Sequence, residues 1–144
     1  MSWRNTEYED LHRIVLSKDA SSMDMRSAIP DTPESRLSLQ QNARTWLDGD
    51  SILAIAGVAP LWKGVGTVWT LISEEARDRV VGLTRGVLRL MDSDRSYWRL
   101  QATVERGDER ARLWIILLGF SYEGTMVAYA PDGKTHDMYA RVRI

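Results

Sequence analysis

The sequence predicts a mixed α/β (α+β) fold, a central and mostly antiparallel sheet flanked by helices and closed by a C-terminal β-hairpin. Three observations predict it. Apolar spacing is helical before Ser51 and turns into strand-length runs after it. One long amphipathic stripe, from Ala76 to Met91, interrupts the strands. The chain finishes on a short helix that stops at Leu118-Gly119-Phe120 and feeds a hairpin turning at Pro131-Asp132-Gly133-Lys134.

The elements follow in order. Ser2 to Thr6 supplies an initial strand, and Glu7 to Leu16 carries Tyr8, Leu11, Ile14 and Val15 at helical spacing. Ser17 to Asp31 is polar and reads as a loop through Asp19-Ala20-Ser21-Ser22, with a turn of helix around Met23 to Ala28. Thr32 is an N-cap with Pro33 at the first helical position and Glu34 in the first turn. Leu39, Ala43, Trp46 and Leu47 then form one helical stripe, capped by Gly49. Ile52 to Ala59 is a strand, Pro60 to Gly66 a turn, and Thr67 to Ile72 the returning strand. Ser73 caps a long helix whose stripe is Ala76, Val80, Leu83, Val87 and Leu90, widened by Val81, Leu88 and Met91. Tyr97 to Glu105 is a strand with Trp98, Leu100, Ala102 and Val104 on one face. Gly107 breaks it and Asp108 caps the last helix. In the last strand Met138, Ala140, Val142 and Ile144 alternate with Tyr139, Arg141 and Arg143.

A chain of 144 residues is expected to form one domain, 1–144, with a core of useful size. A net charge of −1 gives no drive toward nucleic acid or a membrane surface. There is no cysteine, hence no disulfide or thiolate chemistry, and His12 and His136 are the only histidines, so no metal site is expected. No apolar run has the length of a membrane span, and no apolar segment follows Met1 to Glu7 to make a signal peptide. An intracellular or virion protein is the expectation.

The element order from Ile52 to Ile144, with Leu118-Gly119-Phe120 as its corner and Glu123-Gly124 after it, resembles the Gcn5-related N-acetyltransferases (GNAT superfamily). In that resemblance Asp108 stands where an Asn usually begins the last helix. Leu53-Ala54-Ile55-Ala56-Gly57, Trp69-Thr70-Leu71 running into a helix, and Tyr129 to Lys134 in the final hairpin resemble small phage proteins of this fold, among them internal virion proteins. The resemblance implies acetyl-CoA as cofactor if the chain is active and none if it is not. It places cofactor contacts at Trp69, Leu71, Ile72, Ser73, Arg77, Arg79 and Asp108. It also implies phage or virion proteins, or a second copy of the chain, as partners, and a virion or host-cytoplasm location.

Two requirements of that chemistry are poorly met. The family holds pyrophosphate on free backbone N–H groups of a Gly-rich turn at a helix start. Ser73 to Gly82 has no glycine before Gly82, and Glu74 and Glu75 bring negative charge to the place where an anion docks. Arg77 and Arg79 offset this in part, and capping logic favours an ordinary stabilising helix start over a phosphate site as the reading of Ser-Glu-Glu. The proton donor for the departing thiolate, commonly a Tyr on the last helix, falls at Ile115, which has no proton to give. Glu105 is the candidate base, with a solvated strand end as its plainer reading.

Trp114 to Leu118 is apolar around the whole helix circumference, which suits either a covered core helix or a patch met by another protein. Trp114, Ile115, Ile116 and Leu117 are therefore interface candidates, and Trp62, expected in a turn, joins them as an exposed contact residue. Arg85 and Arg89, and Arg106, Arg110 and Arg112, read as solvated or salt-bridged charge. His136 is expected near the sheet edge and His12 in solvent.

Overall fold

The computed structural model of the chain describes residues 1–16 and 25–143. Its elements are β1 (Ser2–Asn5), α1 (Asp10–Arg13), a 3-10 turn (Met25–Ala28), α2 (Pro33–Asn42), β2 (Ala43–Asp48), β3 (Ser51–Trp62) and β4 (Val65–Ile72). A second 3-10 turn (Glu75–Arg79) leads into α3 (Val80–Ser93), followed by β5 (Arg99–Glu105), α4 (Glu109–Leu117), β6 (Ser121–Met126) and β7 (His136–Val142). The strands are hydrogen-bonded in the order β1-β2-β3-β4-β5-β7-β6. β4 and β5 pair in parallel over Val65↔Arg99, Gly66↔Leu100 and Thr67↔Gln101, while β1–β2, β2–β3, β5–β7 and β6–β7 are antiparallel. The mixed α/β class and the initial strand agree with the sequence reading. Residues 17–24 of the loop expected at Ser17 to Asp31, and Ile144, lie outside the described residues.

The Cα packing divides into two units. Among the described residues, one comprises 1–16, 25–58 and 69–87, the other 59–68 and 88–143. In the first, Leu11, Ile14, Leu39, Ala43, Ile55 and Leu71 form a buried cluster. Thr32 caps α2 as expected, accepting the Ser35 N–H at 3.1 Å. Trp3 and Trp46 stack at 5.8 Å. Trp69 lies so close over Gly57 that a Cβ there would sit 2.5 Å from its ring.

One helical expectation fails in this unit. Ala43, Trp46 and Leu47 do not continue the stripe of α2, because that helix ends at Asn42 and Ala43 is extended. They lie on β2, which pairs with β1 on one side (Trp3↔Trp46) and β3 on the other (Thr45↔Ile55). Thr and Trp favour strands, and pairing on both sides overrides a spacing that also fits a helix. Gly49 accordingly sits in the two-residue turn between Asp48 and Ser51, at φ +59°, and caps no helix. The first helix is also shorter than Glu7 to Leu16: Ile14 is extended, and Leu16 makes a β-bridge to Ser73. On α3, Leu83 and Val87 are buried with Ala76, but Val80 and Val81 are exposed. The preceding 3-10 turn winds with three residues per turn, which breaks the 3.6-residue phase of the expected stripe.

In the second unit, β3 runs on to Trp62, and the expected turn at Pro60 to Gly66 shrinks to Lys63-Gly64. Pairing with β2 ends at Gly57, so Pro60 costs no ladder bond on that side. Trp62 is therefore a strand end, not a turn residue. Leu100, Ala102 and Val104 are buried along one face of β5, whereas Trp98 precedes the strand and is half exposed, its ring lying across Gly64. β7 lies between β5 and β6, and His136, Asp137, Tyr139 and Ala140 are all buried, so both faces of the strand are covered there and the expected one-faced alternation is lost. His136 is not at an edge; it is 0% exposed, opposite Glu105 on β5 and Met126 on β6.

Candidate functional site

The residues expected to hold a cofactor fall into two groups, one in each unit. In the first, β4 brings Trp69, Leu71 and Ile72 up to Ser73. Leu71 belongs to the buried cluster; Trp69 and Ile72 are half-buried. Ser73 is 3% exposed, and its hydroxyl accepts the Ala76 N–H at 3.2 Å, so it does cap the turn that follows.

Four backbone N–H groups at this corner, those of Ser73, Glu74, Ala76 and Arg77, are engaged within the chain. Ser73 N–H donates to the Leu53 carbonyl at 2.9 Å and Glu74 N–H to the Val15 carbonyl at 3.2 Å. Ala76 N–H donates to Ser73, and Arg77 N–H to the Glu74 carbonyl at 3.3 Å. Glu74 and Glu75 are exposed at the same corner. The two arginines turn to neighbouring carboxylates. Arg77 lies 3.9 Å from Glu74, and Arg79 donates to Asp48 at 2.6 Å. The hydrogen bond from Arg79 holds the Asp48 carboxyl below its ordinary range. A diphosphate at a helix start needs N–H groups that point at it unpaired. Here those four donors are spent, the carboxylates of Glu74 and Glu75 flank them and no glycine opens the turn, so the residues present fit the pyrophosphate of acetyl-CoA poorly.

In the second unit, Asp108 caps α4 as expected, accepting the Ala111 N–H at 3.1 Å. Glu105 ends β5 beside the Lys134 ammonium, 3.7 Å away. Arg112 pairs with Glu109 and Arg106 lies 3.5 Å from Asp137, whereas Arg85 and Arg89 are exposed on α3. Among the described residues no group of His, Asp or Glu side chains could hold a metal ion.

The corner after α4 has a specific backbone cause. Phe120 N–H donates to the Ile115 carbonyl at 3.2 Å and Gly119 N–H to the Ile116 carbonyl at 2.9 Å. With Gly119 at φ +94°, this is a Schellman ending, the left-handed stop that glycine accepts most readily. The motif sets the side chain after the glycine toward the residue five before it, and Phe120 and Ile115 are both buried. Ile115 thus serves the core and is not on the outer surface of α4. That surface is Leu113, Ile116 and Leu117, exposed by 56, 45 and 65%, with Trp114 half-buried. Trp62 is 69% exposed at the end of β3.

Sequence reasoning missed Val15 and Leu16, which close the Ser73 corner. No local signal announces them, because a carbonyl acceptor has no residue type.

No family model and no curated relative matches the sequence. Solved structures do match. A GNAT-family acetyltransferase from Streptococcus pneumoniae superposes with TM-score 0.76 at 17% identity, over 98% of both chains. RimL, a ribosomal L7/L12 α-N-protein acetyltransferase solved in complex with coenzyme A, gives 0.74 at 12% identity over 97% of this chain and 92% of that one. Ard1 from Thermoplasma volcanium gives 0.73 at 11% identity over 99% and 97%. The chain has the GNAT fold.

Proposed function

We propose that this GNAT-fold chain works through protein contacts and not through acetyl transfer, within a phage particle or during its assembly. Its partners on this reading are other virion proteins or a second copy of the chain. The observation that carries the reading is α4. The position where the family's proton donor belongs holds a buried isoleucine, and the helix turns Leu113, Ile116 and Leu117 outward. Those three recur at i, i+3 and i+4, so they make one apolar stripe, and such a stripe on a short surface helix is better explained by a partner than by solvent. The resemblance to small phage proteins supports the virion as the setting.

The test is a Leu113→Glu/Leu117→Glu double variant in the phage, with quantitative mass spectrometry of purified particles. Incorporation at least about tenfold below that of the parent chain is expected, the equivalent of about 1.4 kcal/mol of lost contact. Equal incorporation removes α4 as the contact surface. Absence of the parent chain from particles favours instead an effector that binds a host protein.

An acetyl-CoA-dependent N-acetyltransferase is the second reading, favoured by the likeness to RimL, which was solved with coenzyme A. It expects charge reversal at Arg77 or Arg79 to weaken cofactor binding about tenfold or more, and unchanged binding counts against it.

A further inference from the structure

We infer that the corner where this fold holds a diphosphate has become a structural latch, with the chain's own Val15 carbonyl as the acceptor at the Glu74 N–H. The latch has two strands of evidence. Leu16 bridges Ser73 in antiparallel pairing, and the Val15 carbonyl takes the Glu74 N–H at 3.2 Å while Leu53 takes that of Ser73 at 2.9 Å. Its anchors are apolar: Ile14 is 4% exposed in the core cluster and Leu16 packs against that cluster. Val15 itself is 74% exposed, so its backbone and not its side chain makes the contact. The segment therefore ties the end of α1 to the start of the α3 turn.

The chemistry at the corner agrees with this use. A neutral carbonyl replaces a dianionic group as acceptor, and the carboxylates of Glu74 and Glu75 become stabilising occupants of the positive end of a helix. An anion would have to displace a backbone bridge and then meet two negative charges. The first glycine, Gly82, lies inside α3 and gives the corner no room for close approach.

This inference is separable from the contact reading, which stands or falls on α4. Its test is amide NMR on the full chain, with coenzyme A and inorganic pyrophosphate as probes. The Ser73 and Glu74 amides are expected to exchange at least about tenfold more slowly than that of Gly107, which lies in an exposed turn. Exchange as fast as at Gly107 overturns the latch. Neither probe is expected to shift the Ser73 or Glu74 resonance saturably below about 1 mM, in the parent chain or in a Glu74→Gln/Glu75→Gln variant. Saturable shifts in the parent chain overturn the inference directly. Shifts gained only in the double variant overturn it as well, since they would mean that charge alone, and no spent N–H group, kept the anion out.

Discussion

Asp10 and His136 are both completely buried, one in each unit, and they are provided for in opposite ways. The Asp10 carboxylate accepts two hydrogen bonds from the Arg4 guanidinium at 2.7 and 2.8 Å, one from the Glu7 N–H at 2.9 Å and one from the Thr45 hydroxyl at 3.0 Å. Thr45 in turn contacts Thr6 at 2.9 Å. Among the described residues His136 has no hydrogen-bond partner at either ring nitrogen, and the Tyr129 ring lies 5.7 Å away. A buried polar group costs little when every valence is met and a good deal when none is. The first unit thus uses a polar cluster as a specific fastener among β1, α1 and β2; the second carries an imidazole as packing volume.

The comparison breaks most readily at Arg4. Arg4→Ala leaves the Asp10 carboxylate buried without its cation and is expected to cost about 3 kcal/mol or more, read from urea unfolding. A loss below about 1 kcal/mol would mean that Asp10 is not the fastener described.

Acid tests the same cluster without mutation. Burial opposes ionisation of Asp10, but the hydrogen bonds from Arg4, Glu7 and Thr45 outweigh it and hold the carboxyl below its ordinary value. Because the folded carboxyl is the stronger acid, its contribution is complete above the unfolded value, near ~4, and fades as pH falls through the lowered folded value. Asp10→Asn should therefore flatten the acid limb of the stability profile measured by thermal melts from neutral pH downward. An unchanged acid limb assigns that limb to the exposed pairs instead.

Thr45→Val keeps the shape and removes the hydroxyl shared by Thr6 and Asp10, for an expected loss of about 1–2 kcal/mol in the same unfolding assay. The smallest effect is expected from His136→Leu. It removes two unmet polar atoms at similar volume and should raise stability by about 1 kcal/mol. A loss of that size would instead reveal a water or other partner for the imidazole.

These two clusters also mark how far the sequence can be read. Periodicity found Leu83, Val87 and Met91 on α3 and the buried face of β5, and local chemistry found the Thr32 and Asp108 caps, because those signals lie within a few residues of one another. The Asp10 cluster draws on positions from Arg4 to Thr45, and no local pattern links them. β2 was hidden for a related reason: Ala43, Trp46 and Leu47 fit both a helical face and a strand, and only pairing with β1 and β3 decides between them. The phase of His136 with Met138 and Ala140 reads as a place near the sheet edge. The hydrogen-bonded order puts β6 there instead. In the candidate site, the missing early glycine and the apolar Ile115 were legible as residue types, whereas the latch formed by Val15 and Leu16 is purely backbone.

The glycines beneath the tryptophans have a consequence for how this sequence can drift. A Cβ at Gly57 would stand 2.5 Å from the Trp69 ring, one at Gly86 2.5 Å from Trp3, and one at Gly64 2.1 Å from Trp98. Each indole thus uses the bare backbone of a glycine as part of its seat, and the two positions form a unit of inheritance. Enlarging the glycine alone displaces the ring, while shrinking the tryptophan alone leaves a hollow. Descendants of this chain should therefore change both members of a pair together, and paired substitution at 57 and 69, or at 3 and 86, is the record to look for in its lineage.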